Sequence, residues 1–227
     1  MAQPLIPNVS LILILLAATV GMVSAEPPRL PSQGSHFLAL LLPAPDRPSV
    51  EQVLEPLRRT FPDLGWTPAA KLHLTLAYVG PLDRETRARL VSSLADELKD
   101  QQAFDLGFRG MGTFTFARST TPRVLWARPV GDGEALGRVA AACRRALHRS
   151  CGRDDSLAFV PHMTLGRAEG PRLGPRLAAA RDAAAPLRTS LRSVGQVVLL
   201  RGGSPLDRGR YTVLAHFPLR ARGNPQP

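Results

Sequence analysis

Apolar residues along this chain return in two rhythms, every second position in short runs and every third or fourth in longer ones, and the rhythms take turns. Phe37 to Leu42 is a continuous apolar run with the length of a buried strand. Pro48 and Ser49 then open a stretch in which Val50, Val53, Leu54 and Leu57 recur at helical spacing up to Arg59. Leu72, Leu74 and Leu76 alternate strictly with His73 and Thr75, which predicts a strand with one apolar face that Gly80-Pro81 stops. Asp83 to Leu98 carries Leu90, Leu94 and Leu98 on one side and charges elsewhere, a second amphipathic helix.

Phe104 to Phe108, Gly112 to Ala117 and Arg123 to Ala127 read as three short strands set apart by turn residues. A helix over Glu134 to Arg149 follows, then a strand over Ala158 to Arg167 and a weak Ala-rich helix over Leu177 to Ala185. Val194 to Arg201 and Tyr211 to Phe217 pair as a hairpin, and the tail from Arg220 to Pro227 is expected to be loose. Twice, therefore, a helix precedes a strand carrying His-x-Thr, an approximate internal duplication. So many short strands with short connections favour an α+β fold with an antiparallel or mixed sheet over a doubly wound parallel one.

The ends read differently. Val9 to Val23 is nearly all apolar and closes on Val23-Ser24-Ala25, so residues 1–25 read as a signal peptide or a membrane anchor. The missing Lys or Arg before Arg29 speaks against export, and a mis-set start codon would give the same pattern. The expectation is export or anchoring if the leader is real and the cytoplasm otherwise. Residues 26–35, rich in Pro, Ser and Gly, form a linker, and the folded body is expected over 36–219.

With 44% hydrophobic and 21% charged residues the body has the composition of a folded domain, in one piece or two small lobes. The net charge of +11 would attract a polyanion such as RNA. Only Lys71 and Lys99 are lysines, however, so the excess of arginine also fits a coding bias, and the charge is spread along the chain. Cys143 and Cys151 are too few for a disulfide framework and lack metal-binding spacing. Cys143 falls on an apolar stripe with Leu136, Val139 and Leu147 and reads as a core residue; no pairing of the two is predicted.

The candidate chemistry lies in Leu72-His73-Leu74-Thr75-Leu76 and Pro161-His162-Met163-Thr164-Leu165. On a strand, positions i and i+2 share a face, so each segment offers one imidazole and one hydroxyl away from the core. Phosphodiester hydrolysis needs a base for the attacking water and an acid for the departing sugar oxygen, and two imidazoles near their ordinary pKa supply both. Thr75 and Thr164 can donate to the phosphoryl oxygens, where negative charge builds. Neither motif has a carboxylate on its face, so a metal-dependent hydrolase lacks its ligand set, and no metal or cofactor is expected.

Lys71 alternates with His73 onto the same face and could steer phosphate, and Arg167 follows the second motif; each could equally be a solvated charge. His36, His148 and His216 read as structural.

The chain resembles the two-histidine (2H) phosphoesterases, in their RNA 2',3'-cyclic phosphodiesterase branch, also described as 2'-5' RNA ligases. The resemblance spans Phe37 to Leu219 and rests on the two HxTx motifs, the opening Phe37-Leu38-Ala39-Leu40, Pro122-Arg123-Val124-Leu125-Trp126, Phe159 to Arg167 and Tyr211 to Leu219. It implies a bilobal fold with pseudo-twofold symmetry, one motif from each lobe facing a central groove. It also implies that His73 protonates the leaving O3' of an RNA 2',3'-cyclic phosphate while His162 activates water, leaving a 2'-phosphate. The residues alone do not assign those two roles. Arg167, as in many relatives, would contact phosphate. Two departures stand out: Val160, where relatives often have Arg, and Gly202, where a Ser is common. A monomer without an obligate protein partner is expected. An RNA-binding module without turnover, or a 2H enzyme for another cyclic nucleotide, remains the alternative.

Overall fold

The computed structural model describes residues 34–115, 120–153, 158–202 and 211–222. The expected leader, nearly all of the expected linker and residues 223–227 lie outside the described residues. The elements are β1 (Ser35–Leu41), α1 (Arg47–Thr60), β2 (Gly65–Trp66), β3 (His73–Gly80), α2 (Arg84–Leu98), β4 (Phe104–Thr115), β5 (Pro122–Gly131), α3 (Gly133–Cys151), β6 (Met163–Arg167), α4 (Gly174–Ala183), β7 (Arg192–Val194), β8 (Gln196–Gly202) and β9 (Thr212–Pro218).

Local signals set the helix ends. Asp83 accepts from the Thr86 N–H at 2.7 Å and Asp132 from the Ala135 N–H at 2.9 Å, each satisfying an orphan donor of a first turn. Gly152, at φ 60°, ends α3 in the left-handed conformation, with its N–H on the His148 carbonyl. Cys143 is fully buried on that helix, where desolvation pushes its thiol up to about 12, and both cysteines are free.

The nine strands of the described residues join one sheet in the order β7-β4-β5-β6-β3-β1-β8-β9, with β2 added on β6, and the strand pairs are antiparallel. β3 and β6, the two motif strands, are neighbours at the centre, joined through the single pair Leu74 with Met163. To one side of this seam β3, β1, β8 and β9 form a lobe from the two ends of the chain; on the other, β6, β5, β4 and β7 form a lobe from its middle. One helix crosses over. α3, from the middle, packs on β3 and on α2, whereas α4 lies on β5 and β4. Asp46, at the start of α1, is ion-paired with Arg192 of β7 at 2.7 Å. Asp63, just past α1, holds Arg176 of α4 at 2.5 Å. The two lobes are thus interleaved in sequence.

The helices and the inward residues of the sheet share one core that takes in Leu38, Leu54, Leu74, Leu94, Leu125, Met163 and Leu165, all fully buried. Each such side chain contributes about 1.5–3 kcal/mol relative to exposure. A second, small cluster of Phe37, Ala39, Val198 and Leu200 lies on the other sheet face, with Tyr211 against it.

The elements depart from the sequence pattern at several places. The two strands expected over 104–108 and 112–117 form one strand as far as Thr115, because Gly110 at φ 69° absorbs a bulge between Phe108 and Met111 and the ladder continues; residues 116 and 117 lie outside the described residues. β6 begins only at Met163, since Pro161 has no N–H for a ladder. α4 begins at Gly174 and stops at Ala183, because Pro186 disfavours helical geometry at the residue before it. Val194 belongs to β7 and not to the final hairpin. Arg220 and Arg222 are not loose: the Ala103 N–H donates to the Arg220 carbonyl at 2.8 Å, and Arg222 bonds the Ala103 carbonyl and Asp105.

Candidate active site

His73 opens β3 and His162 immediately precedes β6, so the seam between the lobes is where the two motifs meet. Extending the Leu74–Met163 register by one residue each way sets His73 across from Thr164 and Thr75 across from His162. Leu74, Leu76, Met163 and Leu165 are buried in the core, which turns the two imidazoles and two hydroxyls to the opposite face.

Each histidine is held in the same way. The Nδ1–H of His73 donates to the Lys71 carbonyl at 2.7 Å and that of His162 to the Val160 carbonyl at 2.8 Å. Both bonds reach back two residues, and both fix the tautomer that leaves Nε2 for chemistry. Aromatic rings complete each seat. His73 lies 5.0 Å from the Phe37 ring and edge-on to Tyr211 at 5.3 Å; His162 meets Phe114 edge-on at 4.9 Å, and Phe114 stacks on Trp126. Each outer ring rests where a neighbouring strand has glycine. A Cβ at Gly202 would sit 2.5 Å from Tyr211, and one at Gly112 would collide with the indole of Trp126. The Gly202 departure is therefore linked to Tyr211, since a serine there would displace the ring.

Burial is the main cause lowering the pKa of both histidines below the ordinary 6.5. The backbone bonds oppose it. The positive charge of Arg167 lowers both further, and that of His162 lowers His73. Arg167 also acts on Tyr211, whose hydroxyl burial pushes up. Arg167, exposed at the end of β6, is thus near enough for its charge to act on both imidazoles and the tyrosine.

Lys71 arrives by another route than expected. It ends a 3-10 turn before β3 instead of sharing the strand's alternation, yet its ammonium stands 5.9 Å from the Tyr211 ring centre and its carbonyl holds His73. Val160 is half exposed and serves His162 through its backbone alone. His36 is buried at the far end of β1 with its Nδ1–H on the Gly80 carbonyl, His148 lies on α3, and His216 lies on β9 beside Gln196. None of the three reaches the seam. Among the described residues no three His, Cys, Asp or Glu side chains converge as a metal-ligand set.

The aromatic seats were not singled out from the sequence. Their signal was present, since Trp126 follows core Leu125 and Phe114 follows Thr113 on alternating strands, but alternation does not say which ring meets which histidine.

A family model of the 2'-5' RNA ligase superfamily matches residues 44–203. The chain belongs to that superfamily. An RNA 2',3'-cyclic phosphodiesterase of Geobacillus stearothermophilus is 26% identical over 191 residues, which cover 81% of this chain and 57% of that protein. One of Methanothermobacter thermautotrophicus is 27% identical over 142 residues, 63% of this chain and 75% of the relative. Among solved structures of similar fold, a protein of Thermus thermophilus matches at TM-score 0.66 and 26% identity, covering 83% of this chain and all of that one. Escherichia coli LigT in its apo form matches at TM-score 0.63 and 26% identity, covering 83% and 99%. These superfamily neighbours share the α+β architecture, including the antiparallel sheet.

Proposed function

We propose that the protein hydrolyses RNA 2',3'-cyclic phosphate ends to 2'-phosphomonoesters by acid and base catalysis from His73 and His162. The observation that carries the reading is that both imidazoles, from opposite lobes, sit at the single seam pair with Nδ1 tied to backbone carbonyl and Nε2 left for chemistry. The names of the curated relatives agree with it, and Escherichia coli LigT has been crystallised with phosphate and with 3'-AMP.

Neutral His162 takes a proton from water at Nε2 as the water oxygen bonds to phosphorus. The P–O3' bond breaks, and protonated His73 gives its Nε2 proton to O3'. Family resemblance assigns which histidine is which. The reaction leaves His162 protonated and His73 neutral, and exchange with solvent restores both. Thr75 and Thr164, on the face of the imidazoles, and Arg167, whose charge acts on both, stabilise the phosphoryl oxygens; Lys71 adds charge from the rim. Every group in this scheme comes from the chain itself, and none of its steps calls on a metal.

The experiment is product analysis on a short RNA with a 2',3'-cyclic end, in the presence of a chelator. A 2'-phosphomonoester is the expected product; binding without conversion would reduce the protein to an RNA-binding module, and loss of turnover on chelation would make it a metal enzyme.

The pH dependence follows from the lowered pKa values. One imidazole must be neutral and the other protonated, and both titrate below 6.5 in the free protein. The plot of kcat/KM against pH is therefore a bell whose maximum lies below pH 6.5. A bound phosphodiester anion favours the protonated forms, so the kcat bell lies at higher pH than the kcat/KM bell. A kcat/KM profile flat through the histidine range would contradict the pair.

A further inference from the structure

The sheet face that presents the histidines also carries charges which the reaction at the cyclic phosphate leaves unused. On β5, Ala127 is fully buried in the core, so its neighbours Trp126 and Arg128 project to the opposite face, Trp126 against Phe114. On β4, Phe108 is buried opposite Pro129, and the next residue, Arg109, turns to the side of Arg128. The bulge accentuates this. Phe108 pairs with Pro129 and Met111 with Ala127, so Arg109 and Gly110 together stand opposite Arg128.

The chain before β7 adds a third cation. Arg188 bridges Arg109 in antiparallel register, fixed by the Gly110 N–H on the Leu187 carbonyl and the Thr189 N–H on the Phe108 carbonyl, both at 2.9 Å. Leu187 and Thr189 are buried, and Arg188 between them is exposed.

Arg128, Arg109 and Arg188 thus lie side by side on adjoining strands, roughly 4.8 Å apart across the sheet. All three are exposed, and no carboxylate among the described residues is ion-paired with any of them. The helices show the contrast: Arg59, Arg89 and Arg138 pair with Glu55, Glu85 and Glu134, and Arg145 and Arg149 share Glu97. Like charges placed directly across strands destabilise a sheet, a cost that a bound polyanion would remove.

The row leads to the reacting centre. The pair Ala127 with Met163 puts Arg128 level with the residue before Met163, which is His162. Beside it, the buried indole N–H of Trp126 has no hydrogen-bond partner.

We propose that this row is a track for the RNA backbone, in which Arg128, Arg109 and Arg188 bind the phosphodiesters that precede the terminal cyclic phosphate. The preferred substrate is then an oligonucleotide and not a cyclic mononucleotide. The inference rests on the phosphodiesterase reading above and extends it to substrate class. An acidic protein segment would meet the same charges, but the continuity of the row with the phosphate site favours a strand whose end is the substrate.

The test compares wild type with Arg109→Gln/Arg188→Gln, with folding checked by circular dichroism. Substrates are a 2',3'-cyclic mononucleotide and a cyclic-ended RNA of roughly ten nucleotides, between about 50 and 200 mM salt. Wild type should favour the oligonucleotide in kcat/KM. The double variant should lose about tenfold or more of that preference at low salt, and its log KM against log salt should flatten by roughly 0.7 per arginine removed. A folded double variant with wild-type preference and slope overturns the track. If wild type turns over neither substrate, the chemistry fails separately, and binding of a labelled linear RNA decides the track by the same salt slopes. Equal loss of polyaspartate and RNA binding, with polyaspartate bound as tightly by wild type, would reassign the row to an acidic protein and so overturn the proposal.

Discussion

His73→Ala and His162→Ala each lower kcat on a cyclic-ended RNA by about 10²- to 10⁴-fold, the share that a positioned acid or base supplies. Substrate KM should move far less, because Thr75, Thr164 and Arg167 remain to hold the phosphate. The double variant should be nearly as slow as either single one, since an acid and a base that act in one step do not contribute independently. Both side chains are half-buried and lie against aromatic rings, so each substitution costs some packing. Single-turnover rates, corrected for the folded fraction by circular dichroism, separate chemistry from stability. A single variant that keeps the wild-type rate would remove the paired assignment.

Leu74→Ala destabilises the protein by about 2–5 kcal/mol, the range for a fully buried leucine truncated to alanine. Leu74 is fully buried and forms the pair that joins β3 to β6. Against a total stability of about 5–15 kcal/mol for a domain, that is a large fraction. Leu94→Ala, an equally buried change in α2, should cost a similar amount. The two differ in function. Loosening the seam lets His73 and Thr75 move relative to His162 and Thr164, so kcat per folded molecule should fall for Leu74→Ala and hold for Leu94→Ala. Urea denaturation gives the stabilities, and assay of the folded fraction gives the rates. An unchanged kcat for both variants would mean that the seam does not set the geometry of the pair.

Short-range pattern carried much of this structure. Strict alternation around His73 and Thr75 places them on one face whatever the fold, because side-chain parity on a strand depends only on neighbouring residues. Val50, Val53, Leu54 and Leu57 marked α1 in the same way, as did Asp83 and Gly80-Pro81 the boundary between β3 and α2. The pairing of Gln196–Gly202 with Thr212–Pro218 was legible as a hairpin because its strands are close in sequence.

What the chain alone decided, then, is which residues face together within each element, and that the two motifs are alike. Tertiary structure decided that β3 and β6 meet at Leu74 and Met163, that α3 packs on β3 across the seam, and that Phe37, Tyr211, Phe114 and Trp126 form the seats of the histidines. It also brought Arg188 beside Arg109, 79 positions earlier in the numbering, and carried β4 through its bulge. The physical reason is the reach of the interactions. Periodicity reports the local backbone, whereas register between distant strands is chosen by the packing of the whole core, a sum over many residues that no short window contains.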